Sequence, residues 1–391
     1  MKQKSTVDSF YVGRGIFTML FGSGNLIFPV KAGVLAGSKI YSAILGFLIS
    51  GVILPIIGLI SMILFEGDYK KFFARIGKIP SFLAVLFCMF IIGPFLVMPR
   101  CITVPFDMLS PFFPNISLLH FSIFFSFFAF ILAYKESKLL DFLSQYISWI
   151  KIFSLGFIII AGIIYGETMI YQPLSSKTIF FDQIFNGFQT LDLIGTLFFA
   201  YIIIRLIKID TNNQDLSSKK LAVVCLKGGV IAGTFMAFFY IGFSLLGAYY
   251  AHLVTPTMNG AEIFRIITLK VVGAQGIIIL ILAVLMACFS TLVALSTVFA
   301  EYFRQEICFN KISYANSLFI GLVIATIISN FGLSNILQWS SPIINFGYPI
   351  IVTITLCNAA YKIFGIETIK IPVLITTLVM IYTQILPYFF Y

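Results

Sequence analysis

Runs of apolar residues alternate along the chain with short clusters of charge, proline, glycine and asparagine. The runs fall at about 10–37, 40–65, 82–108, 118–134, 139–165, 184–205, 221–250, 272–300, 313–329, 336–357 and 371–389. Each is near the ~20 residues that a helix needs to cross a hydrocarbon layer of about 30 Å. A 3.6-residue period is weak within them, because a helix surrounded by lipid and other helices is apolar on every side. The pattern predicts an all-α polytopic membrane protein with about eleven transmembrane helices, forming a single domain. Two runs are broken in the middle. The first is interrupted by Gly22-Ser23-Gly24-Asn25, and the sixth by Gln189-Thr190-Leu191-Asp192 with Gly195 beyond. Such breaks strand backbone N–H and C=O groups where no bulk water can reach them, so each needs a partner.

Composition supports this reading. Sixty per cent of the 391 residues are apolar, 10% are charged and 45 are Phe. A soluble domain carries about 25% charged residues. The N-terminal "MKQKSTVDSFYVGRGIF" leads into an apolar region too long for a cleaved signal and without a small-residue cleavage pattern, so the first span is expected to insert and stay. The six cysteines (88, 101, 225, 288, 308 and 357) lie in or beside apolar runs without metal or redox spacing, and read as small hydrophobes. His120 and His252 stand apart near span ends, which argues against a two-histidine metal site.

Charge sets an orientation. With the N-terminus inside, that side collects Lys2, Lys4, Arg14, Lys70, Lys71, Arg75, Lys78, Lys135, Lys138, Arg205, Lys208, Lys219, Lys220, Lys227, Arg304, Lys311, Lys362 and Lys370, most of the 25 Lys and Arg residues. Lys31, Lys39, Lys177, Arg265 and Lys270 fall on the other side, while Arg100 and Lys151 lie within spans. The excess of basic residues marks the cytoplasmic face. It also accounts for the net charge of +10 without invoking nucleic acid, since the charge is spread over segments beside anionic lipid.

The two breaks lie five spans apart, one in a helix entering from inside and the other in a helix entering from outside. Residues 10–165 and 184–357 therefore read as two repeats of opposite topology, followed by an additional helix at 371–389. Paired discontinuous helices point to an inverted-repeat secondary transporter, whose half-helix N-termini face an anionic substrate group and whose opened carbonyls hold a cation. The alternative for each glycine is simple close packing of one helix on another. No G-x-x-x-x-G-K-[ST] motif supports a nucleotide-driven pump, no span has the repeated polar stripe of a channel, and no cluster suggests catalysis.

"FGSGNLIFP" at 21–29, "GFQTLDLIGTLFF" at 187–199, "NGAEIF" at 259–264, "ACFSTLVALSTVFAEYF" at 287–303 and "SNFGLSNILQWSSPIINFGYP" at 329–349 resemble the bacterial branched-chain amino acid:cation symporters, in order and over nearly the whole chain. The resemblance implies the leucine-transporter-type five-plus-five inverted repeat in a bacterial cytoplasmic membrane. It also implies import of leucine, isoleucine or valine driven by a cation, with sodium expected; the alternatives on the same fold are a proton carried through Asp192 or another neutral amino acid as substrate. The family usually carries a twelfth span, and span 3 here has no tyrosine to cap a substrate carboxylate.

Carried over residue by residue, Gly22, Ser23 and Gly24 are expected to offer N–H groups to the substrate carboxylate, and glycine lets that backbone come close. Asn25 is expected either to ligate a cation or to tie the break together. Thr190 aligns with a hydroxyl that faces substrate and ion, and carbonyls near Leu191 and Asp192 are placed to accept from the substrate ammonium. For sodium, which prefers hard oxygen ligands, the resemblance implies the carbonyls of Thr18, Phe21 and Ala287 and the hydroxyls of Ser290 and Thr291. The alternative for these hydroxyls is back-bonding within their helix or to a neighbour.

Charges inside spans need partners, since each costs roughly 2.5–3.5 kcal/mol at a helix centre. Asp192 either serves the site directly or pairs with Arg100. Asp107 and Glu301, nearer the span ends, read as gate or interface charges. Lys151 has two readings. Its ammonium stands in for sodium, as in some transporters of this architecture, or it snorkels to the cytoplasmic surface; snorkelling is the expectation.

Overall fold

A computed structural model of the protein describes residues 8–134, 143–210, 218–255, 257–273 and 276–385. Helices α1 (Ser9–Leu20) and α2 (Ser23–Ala36) share the first apolar run, and the second holds α3 (Ile40–Leu48) and α4 (Leu54–Leu64), joined by a wider π-type turn. A short α5 (Tyr69–Ala74) precedes α6 (Lys78–Ile92) and α7 (Val97–Leu109), followed by α8 (Leu118–Ala133) and α9 (Ser148–Ile164). Helices α10 (Ser176–Phe188) and α11 (Asp192–Asp210) flank the second break, and α12 (Ser218–Tyr249) follows. The chain continues through α13 (Gly260–Val272), α14 (Ile277–Tyr302), α15 (Tyr314–Ser329), α16 (Leu333–Phe364) and α17 (Lys370–Met380). No strand occurs among the described residues.

Seven helical stretches among the described residues are long and apolar enough to cross a membrane, and shorter apolar helices cover Leu118–Ala133, Tyr314–Ser329 and Lys370–Gln384. The third apolar run, expected as one helix, is broken at Gly93–Leu96, between α6 and α7. Helix α13 falls in what the apolar pattern left as a connection. Of the basic residues used for orientation, Lys2, Lys4, Lys135 and Lys138 lie outside the described residues, as do the start of the 139–165 run and the end of the last.

The outer surface carries large apolar side chains, such as Phe124, Phe127 and Phe128 on α8 and Phe153 on α9. In water such a face is a liability, whereas hydrocarbon solvates it at no cost. The interior inverts this arrangement. Asn25, Arg100, Lys151 and Asp192 are all buried.

Helix α2 crosses α12 with backbone nearly touching backbone. A Cβ on Gly33 would stand 1.9 Å from the Ser244 carbonyl oxygen, and one on Gly247 would stand 2.0 Å from that of Val30. Small residues at such crossings replace the hydrophobic driving force that lipid removes. Gly33→Ala must therefore push the helices apart, at a cost of about 1–3 kcal/mol or more. Thermal unfolding of the purified protein in detergent is expected to move to a clearly lower midpoint. Gly156→Ala, where an added Cβ meets nothing within 4 Å, is expected to hold or slightly raise it, because alanine is the better helix former.

Candidate functional site

Helix α1 ends at Leu20, and Phe21 turns to an extended conformation (φ −74°, ψ 92°). Ending a helix leaves its last carbonyls without intrahelical donors. Two of those near the break find donors on α14. The Met19 carbonyl accepts from the Thr291 hydroxyl at 3.0 Å, and the Thr18 carbonyl accepts from the Ser290 hydroxyl at 3.0 Å. Gly22 is required here for space, since a Cβ would stand 2.7 Å from Thr291 Oγ1. Its N–H donates to Asn25 Oδ1 at 2.8 Å, so the first turn of α2 caps its own entrance.

Lys151 completes this end of α1. Its side chain is fully buried, and Nζ donates to Thr18 O at 2.9 Å, Phe21 O at 2.5 Å and Ser290 Oγ at 3.0 Å. An ammonium has three donors, and all three are used. The negative end of the α1 dipole faces this cation, and the rings of Phe17 and Phe21 lie 5.6 and 5.7 Å from it. The snorkelling expectation is corrected: α9 packs against α1 and α14, and Lys151 turns inward between them.

Three of the five oxygens expected to hold sodium thus surround an ammonium. Of the other two, the Ala287 carbonyl lies 3.1 Å from Ser290 Oγ, and Thr291 Oγ1 is directed to Met19. A sodium ion added to this cradle would lie roughly 3 Å from a like charge, a repulsion of about 5 kcal/mol at an effective dielectric of about 20. The residues present do not fit sodium and a charged Lys151 together.

The second break is built differently. Gln189, Thr190 and Leu191 leave α10 in tight turns, with N–H groups bonded to the carbonyls of Asn186, Gly187 and Phe188, and Leu191 takes a φ of 63°. A branched residue in that region costs on the order of 1 kcal/mol or more and is held there by its surroundings. The Thr190 hydroxyl donates to Gly187 O at 2.8 Å, back along its own helix rather than toward a ligand. Gly24 lets α2 approach: a Cβ there would stand 3.2 Å from Thr190 Cα and 3.5 Å from Gln189 O.

Asp192 opens α11, where a carboxylate suits the positive helix end. Asn25 Nδ2 donates to both of its oxygens, at 2.9 and 3.0 Å, and the Tyr240 hydroxyl donates to Oδ2 while also meeting Asn25 Nδ2. Asn25 therefore ties the two breaks together. The alternative pairing of Asp192 with Arg100 is not formed: Arg100 donates to Gln189 O at 3.1 Å and to Ser340 Oγ.

Tyr240, on α12, escaped the sequence reading. Its signal was a hydroxyl mid-span, which must find a partner when buried. Near one end of the bundle Asp107 accepts from Asn259 Nδ2 at 3.1 Å, and its carbonyl from Arg265 at 2.7 Å, in keeping with an interface role. Glu301 accepts from Gln305 one helical turn on. A cavity of about 240 Å³ lies beside it, between α11 and α14, lined by Met89, Phe198, Tyr201 and Thr297. Phe198 is six residues past Asp192, or about 9 Å along the helix, so this space lies beyond the level of the breaks.

The sequence family described as branched-chain amino acid transport protein matches residues 5–388. The branched-chain amino acid permease BrnQ of Bacillus subtilis (strain 168) is 30% identical over 377 residues, covering 94% of this chain and 84% of the relative. Among solved structures, MhsT in complex with L-phenylalanine superposes with a TM-score of 0.63 at 17% identity, covering 98% of this chain and all of that one. A Na+-coupled sialic acid symporter in a substrate-bound outward-open state gives 0.61 at 12% identity, covering 99% and 91%. These likenesses show the leucine-transporter-type fold. With permeases as its relatives and two broken helices meeting in its membrane interior, the chain is a multi-pass membrane transporter rather than an enzyme, and it belongs to the branched-chain amino acid transport protein family.

Proposed function

We propose that this protein imports leucine, isoleucine or valine across a bacterial cytoplasmic membrane by alternating access, with a proton as the coupling ion. The N-terminus is read as cytoplasmic, from the excess of lysine and arginine on that side. The substrate class follows from the family and its named relatives.

One observation carries the choice of ion: the ammonium of Lys151 fills the cradle of Thr18 O, Phe21 O and Ser290 Oγ. Those oxygens lie where the broken end of α1 meets α14, so whatever bonds to them decides whether the two elements stay together. Loss of one proton turns the tripod donor into an amine, which can no longer serve all three oxygens as a cation. Loading and unloading Lys151 is thus a means of locking and releasing α1 within a cycle. A two-state element biased by ligand and proton is what alternating access requires.

Purified protein in liposomes, with labelled leucine outside, tests this reading. An imposed pH gradient is expected to drive accumulation, and a sodium gradient at equal pH on both sides is expected to add nothing. Accumulation that follows sodium and ignores pH would restore sodium to Thr18, Phe21, Ala287, Ser290 and Thr291. Failure of leucine, isoleucine and valine alike to compete for uptake would overturn the substrate class.

A further inference from the structure

Arg100 lies on the first turn of α7, just after the break at Gly93–Leu96. It is 1% exposed, among the largest fully buried side chains of the protein. A guanidinium stays ionised and has five N–H donors, and burying such a charge is costly unless an anion meets it. Here its partners are neutral. Nη1 donates to the Gln189 carbonyl at 3.1 Å, Nη2 to the Ser340 hydroxyl, and Nε has no partner. Among the described residues no acidic side chain forms an ion pair with it, and Asp192 is engaged by Asn25 and Tyr240.

Its position is as informative as its charge. The Gln189 carbonyl that accepts from Arg100 is also the one that closes on Gly24, at 3.5 Å from a Cβ built there. The next residue, Cys101, has its sulfur 3.6 Å from Ser23 Oγ. Arg100 thus stands where the N-terminus of α2 meets the break between α10 and α11. The first N–H groups of α2 have no intrahelical acceptors and carry the positive end of the helix dipole. A buried guanidinium and a helix N-terminus converge on one place, and both call for an anion.

The geometry points to Arg100 as the anchor for the α-carboxylate of the transported amino acid, received together with the N–H groups of Ser23 and Gly24. A carboxylate matches the guanidinium fork with two oxygens, and a charge-assisted pair of this kind is stronger than the carbonyl and hydroxyl contacts it supplements. Asp192, across the same break, gives the site an opposite charge that Arg100 does not cancel, and a zwitterion has the complementary pattern. This inference rests on the transport of an amino acid proposed above and adds the group that selects for its carboxylate.

Binding of L-leucine and L-leucinamide to the purified full-length protein in detergent tests it, since the pair differs only at the carboxyl end. Wild type is expected to prefer leucine by on the order of 100-fold. Arg100→Gln is expected to shrink that preference to about tenfold or less with leucinamide affinity nearly unchanged, and Arg100→Lys to fall between. Thermal melting and gel filtration check that the variants are folded, and Arg100→Lys carries the test should Arg100→Gln fail them. A wild-type preference retained in the folded variants, or equal loss of both ligands, overturns the assignment. Leucine binding with an undiminished preference in the variants defeats the anchor alone. Binding of a different amino acid, with a preference that collapses in the variants, defeats the branched-chain reading alone.

Discussion

Lys151→Met is expected to abolish accumulation of leucine driven by a pH gradient, lowering it by on the order of 100-fold or more. Methionine keeps most of the length and apolar stem of lysine, so packing against Phe17 and Phe21 changes little. What disappears is a cation that donates to Thr18 O, Phe21 O and Ser290 Oγ. Hydrogen bonds to a charged group contribute about 1.5–3 kcal/mol each, and the Phe21 carbonyl faces a dry interior without one. Lys151→Arg is expected to fail as well, because the three acceptors at 2.5–3.0 Å surround a compact point charge and the planar guanidinium cannot address them together. The measurement pairs gradient-driven uptake with exchange of labelled for unlabelled leucine across the same liposomes. Exchange that survives in Lys151→Met while accumulation is lost assigns the lysine to coupling. Wild-type accumulation in Lys151→Met would remove the lysine from the mechanism.

The broken helices were legible in the sequence because two glycines, a serine and an asparagine in succession weaken a helix inside an apolar run, where freed backbone groups are costly. Position along a helix was legible too, and the structure has Arg100 and Lys151 within apolar helices, as read. Direction was not. A span such as "SWIKIFSLGFIIIAGII" is apolar all round, so nothing in its pattern says which side faces lipid and which faces α1. Lys151 at one turn from a span end can snorkel or fold inward, and the choice depends on three oxygens contributed by residues at least 130 positions away in sequence.

The same limit hid Tyr240 and produced the unformed Arg100–Asp192 pair. Opposite charges in one membrane invite pairing on energetic grounds, yet Asn25 and Tyr240 already engage the carboxylate. Helix α13, by contrast, was announced locally. Asn259 accepts from the N–H groups of Ala261 and Glu262, and Glu262 accepts in return from the Asn259 N–H, a capping box spelled out in "NGAE". An apolar-run search passes over it because the helix spans only residues 260–272 and carries Glu262, Arg265 and Lys270.

Asp192→Asn and Tyr240→Phe are expected to be strongly non-additive, with transport reduced on the order of 100-fold by the first alone. The carboxylate receives two N–H contacts from Asn25 at 2.9 and 3.0 Å and the Tyr240 hydroxyl besides, so it holds α2, α11 and α12 at one point. In Asp192→Asn one oxygen becomes an NH2 group, which meets a donor where an acceptor stood, and the charge that strengthened every contact is lost. Tyr240→Phe removes one donor and leaves the carboxylate with Asn25, a smaller loss. Once Asp192 is gone, removing the tyrosine hydroxyl has little left to break. The double variant should therefore resemble Asp192→Asn, with a coupling of about 1–3 kcal/mol between the two sites. Leucine binding and thermal midpoints measured for wild type, both single variants and the double variant close this cycle. Additive effects within about 0.5 kcal/mol would mean that the two groups act independently, and that the junction of the two breaks is held by backbone packing at Gly24 rather than by the carboxylate.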